Sequence, residues 1–522
     1  MSPALPAPAA REPGQAVPAL VIAGALALRL WHLGARSLWT DEGSTWTAAS
    51  SPLAALVRRC IERDASPPLY YLLTSLALKL GTSEAWLRSV SALASVGLVW
   101  LAYRLARLCA GRREAALAAA LAALSPYQLM YAQEARTYTL VAFLAVAALY
   151  LFVRAVLLDR PRAWLPYAVV SALALYTQSI ALLGVGVQAA LVVLTAPGRR
   201  RLRPWLLAQL AIGLLYLPWL LVELRHAAHL GQSHWYIATP DGHGVFQVLR
   251  SVFLSPLSLV SPPPGSQVPG LGSWLPRPLA HGALALAVVV PLAAGLAGAR
   301  GRGTRPLMLL AMAAGLFLPL AAVLAAAVRV PLWLPRYFVL LSPMLCVLLA
   351  RGIGTLRPAA LAGAWAALLL AVAAYGCLRY ERDFTKEPWR AVTARIAAAA
   401  PAGRSAVLVP FDVDPFAYYV ARQRAPVVAI EVSHPEVPFA SHFTARQLDQ
   451  LEAAARARTA GYDEVWVLVR SPNSPQRREV ARRAERAASS GRVLVARERW
   501  DSYGGPLRLA RFRRAGSAPA AR

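Results

Sequence analysis

Asp41 and Glu42 stand side by side in SLWTDEGSTW (Ser37–Trp46), directly after the first apolar run of a chain that holds 26 Asp+Glu against 55 Lys+Arg. Adjacent carboxylates near a membrane surface repel each other, and desolvation raises the pKa of at least one of them. Such a carboxylate can take the proton of an attacking hydroxyl or hold a cation. The same pair also suits the first turn of a helix capped by Thr40. RDASPPLYY supplies a further acid, Asp64, ahead of a rigid Pro-Pro, where Ser66 offers an ordinary helix cap. YAQEARTY places Glu134 and Arg136, with Tyr138 beside them, in a short turn between two apolar runs. Charges at such depth are costly, so Arg136 either pairs with Glu134 or faces a phosphate that a guanidinium can bind through two bonds. LPRYFVLLSP sets Arg336 and Tyr337 at the mouth of a late apolar run, as an interfacial anchor or as a second phosphate ligand with its aromatic neighbour. His226 and His229, at i and i+3 in ELRHAAHLGQSHWY, are weak zinc candidates without an HExxH signature. No cofactor is certain on these grounds, and a divalent metal stays open.

The elements that must position these residues are apolar. Of 522 residues 57% are hydrophobic and 16% charged, with mean hydropathy +0.46, the composition of a polytopic α-helical membrane protein. At about 20 apolar residues per crossing, the candidate spans are 17–34, 85–103, 115–131, 137–153, 163–178, 179–195, 204–222, 282–299, 306–328, 337–350 and 358–377, about eleven in all. The net charge of +29 does not point to nucleic acid, because much of it sits as short arginine clusters between apolar runs, which is what sets membrane topology. Cys60, Cys109, Cys346 and Cys377 form no metal-type pair. Residues 1–16 read as a disordered Pro/Ala tail, and the apolar run after them as a retained helix rather than a cleaved signal.

The segment 67–81, PPLYYLLTSLALKLG, decides the topology. Left out of the count, it lets the clusters at 104–113, 154–162, 199–203, 300–305 and 351–357 fall on one side, the cytoplasm, with the pair Arg58 and Arg59 as the exception. It then lies in the outer interface. Asp41, Glu42, Asp64, Glu134, Arg136, Arg336 and a large loop at 223–281 collect on the opposite, outer face, as does a first loop at 35–84. Beyond the membrane region, 17–379, alternating strands and helices over 380–515 predict a small extracytoplasmic α/β domain, followed by a disordered tail at 516–522. It contains no Gly-rich nucleotide fingerprint.

Together LWTDE, DASPPLYYLL, EAWLRSVSAL, SPYQLMYAQEARTY and PRYFVLLSP resemble the GT-C superfamily of membrane glycosyltransferases, and within it the dolichyl-phosphate-mannose protein mannosyltransferase-like group (family 39), with bacterial relatives similar to the lipid A aminoarabinose transferase and rhizobial galacturonosyltransferases. The resemblance covers residues 25–351. It implies a GT-C fold and transfer of a sugar, with inversion, from a polyprenyl-phosphate-linked donor to a hydroxyl of a lipid, polysaccharide or protein acceptor at the outer face of a bacterial inner membrane. It implies Asp41 as the catalytic carboxylate, Glu42 as its orienting neighbour, and Arg136 and Arg336 as phosphate holders, with Asp64, Glu134, Tyr138 and Tyr337 around the substrate. One departure stands out: where many relatives carry His or Lys before the Pro-Pro, this chain has Ser66. The competing reading is a lipid or sugar transporter or flippase. It expects ionisable residues at mid-membrane, and the sequence offers few.

Overall fold

The computed structural model describes residues 16–64, 66–226, 241–261, 266–299, 303–327, 333–433, 443–470, 475–502 and 505–515, with Arg63, Asp64 and His226 described by backbone alone. The side chains of Asp64 and His226, all of His229, and both terminal tails therefore lie outside the described residues.

The chain opens with α1 (Ala16–Leu30), α2 (Thr40–Ala49), α3 (Leu53–Arg59) and α4 (Leu69–Leu78). It continues with α5 (Glu84–Cys109), α6 (Arg112–Ala123), α7 (Pro126–Ala132) and α8 (Tyr138–Phe152), the last extended by a π-turn to Leu157. Among the described residues seven helices are long and apolar enough to cross a membrane: 84–109, 138–157, 202–225, 277–297, 304–327, 335–353 and 359–383. The α6–α7 pair, bent by 54°, makes an eighth if taken as one span. The count of eleven is not reached on this test, because the other expected spans fall on short helices, Ala16–Leu30, Trp164–Leu175 and Ser179–Leu194.

The bend has an identifiable cause. Pro126 cannot continue the helix, so carbonyls at the end of α6 lose their intrahelical donors. Ser125 Oγ restarts the ladder by accepting from Gln128 N–H at 3.2 Å. Arg29, fully buried in the last turn of α1, donates to Ala123 O at 2.6 Å and Ala122 O at 3.0 Å, and its Nε donates to Ser95 Oγ at 2.9 Å. A charge inside the apolar bundle is thus committed to capping a broken helix, where no water is at hand to do so.

The segment at 67–81 forms α4, of 10 residues. At 1.5 Å per residue that is about 15 Å, half a hydrocarbon core. It packs on α5 and α2, with Tyr70 Oη and Ser91 Oγ hydrogen-bonded at 2.9 Å. Arg136 Nη1 donates to the Asp41 carbonyl at 3.3 Å, so the chain between these residues crosses the bundle an even number of times. Helix α5 and the bent α6–α7 pair taken together are long enough for two crossings, and α4, at 10 residues, is not long enough for one.

After the helix Ala359–Asp383 a five-stranded sheet forms in the order β2-β1-β3-β5-β4. β1 (Ser405–Pro410), β2 (Val428–Val432) and β3 (Glu464–Arg470) are parallel, and β4 (Arg492–Trp500) and β5 (Leu507–Arg514) close it as an antiparallel pair. Alternation along β1 and β3 sends Ala406, Leu408, Val465 and Val467 into a core with helices Ala445–Thr459 and Pro475–Ser489. Val407, Val409, Trp466 and Leu468 enter another, shared with helices Trp389–Ala399 and Val413–Gln423 and with Leu38, Leu87 and Ala135 of the helical bundle. This domain is seated on the same end of the bundle as Asp41. Gly43 lies so close to the helix Val413–Gln423 that a Cβ there would stand 2.4 Å from Pro415 N.

Candidate active site

Helix α2 starts at Thr40, with Trp39 rather than Thr40 in the capping position. Glu42 reaches back to accept the Trp39 N–H at 3.3 Å. The two adjacent acids consequently part company. Glu42 has 0% side-chain exposure and Asp41 has 31%.

Every direction around Glu42 is taken. Arg88, from α5, grips it side-on, Nε to Oε1 at 2.7 Å and Nη2 to Oε2 at 2.8 Å. Lys386 Nζ donates to Oε2 at 3.0 Å and Ala135 N–H to Oε1 at 2.9 Å. Burial would push this carboxyl up, but Arg88 and Lys386 outweigh it and hold the pKa down at about 2. Glu42 is a permanently charged strut joining α2, α5, the 133–137 turn and the segment after the last long helix. Arg88 also donates to Leu33 O at 2.8 Å and Ser37 O at 3.0 Å, which fixes the loop ahead of Asp41.

Asp41 has a different set of neighbours. Arg336 Nη1 meets Asp41 Oδ2 at 3.3 Å. Arg136 donates to the Asp41 carbonyl and, at 3.4 Å, to Thr45 Oγ1. The Arg136 and Arg336 guanidiniums flank one ring, 5.8 and 5.6 Å from the centroid of Tyr138, and Arg336 lies 5.7 Å from that of Tyr337. Arg136 Nε is buried and has no hydrogen-bond partner. Two forks of donors and one half-exposed carboxylate thus converge beside aromatic faces, the equipment for holding a phosphate next to a base.

Glu134 makes no ion pair with Arg136 among the described contacts. It is 6% exposed, and its Oε2 has neither solvent nor a hydrogen-bond partner. Burial, with the negative charges of Glu42 and Asp41, lifts its pKa to about 7 against the pull of Lys386 and Arg336. Lys386 also donates to Gln133 O at 2.9 Å, and burial together with Arg88 lowers its pKa to about 8.

A family model described as dolichyl-phosphate-mannose-protein mannosyltransferase matches residues 65–222. The crystal structure of ArnT from Cupriavidus metallidurans in the apo state superposes with a TM-score of 0.61 at 15% identity, covering 96% of this chain and 98% of that one. The fold is GT-C. The same enzyme bound to undecaprenyl phosphate gives a TM-score of 0.59 at 14% identity over 94% of this chain and 97% of that one. The archaeal oligosaccharyltransferase AglB from Archaeoglobus fulgidus, in complex with an inhibitory peptide and a dolichol-phosphate, gives 0.52 at 14% identity over 94% and 74%. No curated protein sequence matches the chain significantly.

Within this GT-C frame Asp41, Glu42, Glu134, Arg136, Tyr138, Arg336 and Tyr337 come together at one end of the bundle. Asp64 and the pair His226 and His229 lie outside the described side chains, and no group of three metal-ligating residues occurs among the described residues. Sequence reading missed Arg88, Lys386 and Glu387. Arg88 was visible only as the one basic residue in EAWLRSVSAL. Lys386 carried a signal that went unread, being one of two lysines among 55 Lys+Arg.

Proposed function

We propose that this protein is a membrane glycosyltransferase that moves a sugar from a polyprenyl-phosphate carrier to an acceptor hydroxyl, inverting the anomeric centre. The observation that carries the reading is the convergence of Arg136 and Arg336 on Asp41. Asp41 acts as general base: the acceptor oxygen bonds to the anomeric carbon, its proton passes to Asp41, and the bond from that carbon to the carrier phosphate breaks. The phosphate leaves with one more negative charge, which Arg136 and Arg336 stabilise, and no other acid is needed. Glu42, with all its oxygens engaged, positions Asp41 and does not react.

The carrier's chain has a place to lie. An apolar cleft of about 620 Å³ runs along helices Gly242–Phe253 and Arg277–Ala297, lined by Phe246, Phe253, Leu284 and Phe317. Helix Gly242–Phe253 packs on the 335–341 segment that bears Arg336, with Trp333 Nε1 donating to Gly244 O at 3.1 Å. The arginine clusters support an extracytoplasmic site. Glu114–Arg351 and Asp159–Arg201 pairs lie at the other ends of the helices from Asp41, where the positive-inside rule puts the cytoplasm. The same reading carries a bacterial inner-membrane location and an outer-facing C-terminal domain. Mass spectrometry of envelope glycans and glycolipids from cells with the gene, without it, and with Asp41→Asn tests the proposal. A glycoform present only with the wild-type chain is expected. Identical envelopes in all three would reject it.

A further inference from the structure

Lys386 and Glu387 are neighbours in ERDFTKEPWR, on the connector between the helix ending at Asp383 and the helix starting at Trp389. They hold the residues on either side of Asp41. Lys386 Nζ donates to Glu42 Oε2 at 3.0 Å. Glu387 Oε2 accepts from the Thr40 backbone N–H at 3.1 Å and from Thr40 Oγ1 at 3.0 Å. Lys386 is 7% exposed and Glu387 fully buried.

A clamp serving only to seat the C-terminal domain could land anywhere on the contact. Other residues already do that work. Asp414 accepts from Ser44 Oγ at 3.0 Å and Thr47 Oγ1 at 2.8 Å, and Arg390 pairs with Glu84 at 2.7 Å. The Lys386–Glu387 grip falls instead on the two residues that bracket Asp41. Its chemistry is also selective in this arginine-rich chain. Arg88 occupies Glu42 side-on, and the remaining corner, between Glu42 Oε2 and Gln133 O, takes a compact point charge with separate donors rather than a planar fork. Glu387 faces two ways. It also accepts from Trp389 Nε1 at 2.8 Å and pairs with Arg470, at the end of β3, at 2.6 Å.

From this arrangement we infer that the Lys386–Glu387 dipeptide is a positioning device for Asp41: it fixes the rotation of the first turn of α2 by holding Thr40 and Glu42. The inference rests on Asp41 being the base. Neither residue touches the reacting atoms. Their contribution is to aim the carboxylate that Arg336 engages through its side chain.

The test uses the full chain in lipid nanodiscs, with the polyprenyl-phosphate-linked sugar that the wild-type protein consumes. Steady-state kinetics and amide hydrogen exchange are read for Lys386→Met, Glu387→Ala, Glu387→Gln and Asp41→Asn. Losing the aim of a base costs on the order of 100-fold in rate. Lys386→Met and Glu387→Ala are therefore expected to lower kcat by about that factor, with donor KM within about threefold and faster exchange over residues 39–49. Glu387→Gln keeps an oxygen that can accept from Thr40 while losing the Arg470 pair, and should recover most of the kcat. Wild-type kcat in Glu387→Ala, a loss confined to KM, or equal losses in the Ala and Gln variants would overturn the inference. If Asp41→Asn kept full kcat, the base assignment would fall instead, whatever the dipeptide variants did.

Discussion

Arg336 Nη1 lies 3.3 Å from Asp41 Oδ2, across 295 residues of sequence. The contact joins the first connecting loop of the bundle to the start of one of its last helices, and it pairs the proposed base with a cation that a carrier phosphate would share. Replacing Arg336 with Gln should weaken binding of undecaprenyl phosphate, measured in nanodiscs, on the order of tenfold or more, because a charge-assisted bond to phosphate contributes about 1.5–3 kcal/mol. Arg336→Lys should recover only part of it, since an ammonium cannot present two parallel donors. Unchanged affinity in Arg336→Gln would remove this residue from the phosphate site.

The buried Glu42–Arg88–Lys386 group answers to a different measurement. Truncating Arg88 to Ala removes the side-on partner of a carboxylate at 0% exposure and leaves it Lys386 and the Ala135 N–H; breaking a buried pair costs up to about 3–5 kcal/mol. The melting temperature of Arg88→Ala in nanodiscs should fall well below that of Arg336→Gln, whose partner Asp41 is partly open to solvent. Equal melting temperatures would mean that the strut does not hold the fold.

Arg29 offers a third check. Its bonds to the carbonyls of Ala122 and Ala123 close the break before Pro126, and removing them takes that donor from Ala123 O in an apolar interior and leaves Ala122 O only the long Ser125 N–H bond. Arg29→Leu should lower thermal stability by about 2 kcal/mol or more. It should also speed exchange at the start of α7, with little change at the sheet.

The pH response follows from two shifted groups. Glu134, raised to about 7, is neutral below that pH and anionic above it. Lys386, lowered to about 8, is cationic below that pH and neutral above it. Both changes make the site more negative as pH rises from 6 to 9, so affinity for undecaprenyl phosphate should fall across that interval. In Glu134→Gln the step near pH 7 should vanish, and the Lys386 step should move to lower pH, because the Glu134 charge that helps hold the Lys386 proton is gone. An unchanged profile in that variant would separate Glu134 from the phosphate site.

How much of this was legible in the sequence depended on distance along the chain. Local patterns were readable: α4 is short because its apolar run is short, and β1 and β3 read as nearly continuous apolar runs because both faces of the sheet are buried there. Asp41, Glu134, Arg136 and Arg336 could be grouped because arginine clusters sorted the loops by side. What could not be read was which acid of the adjacent pair is buried. That is set by Arg88 and Lys386, 46 and 344 residues from Glu42, and no local spacing encodes such a meeting. The α6–α7 break had a local cause in Ser125-Pro126 but read as one continuous span, because its Ala-rich flanks outweighed one proline. Arg29, taken as part of an apolar helix, needed the broken carbonyls in view before its role made sense.

The central claim is that Asp41 removes the acceptor's proton. Asp41→Asn keeps the shape and can still accept a bond from Arg336, so initial rates of sugar transfer by the folded variant in nanodiscs, at saturating donor, test it most directly. A fall of about 10²–10⁴-fold with near-normal undecaprenyl phosphate binding is predicted. Transfer at the wild-type rate by Asp41→Asn would contradict the account.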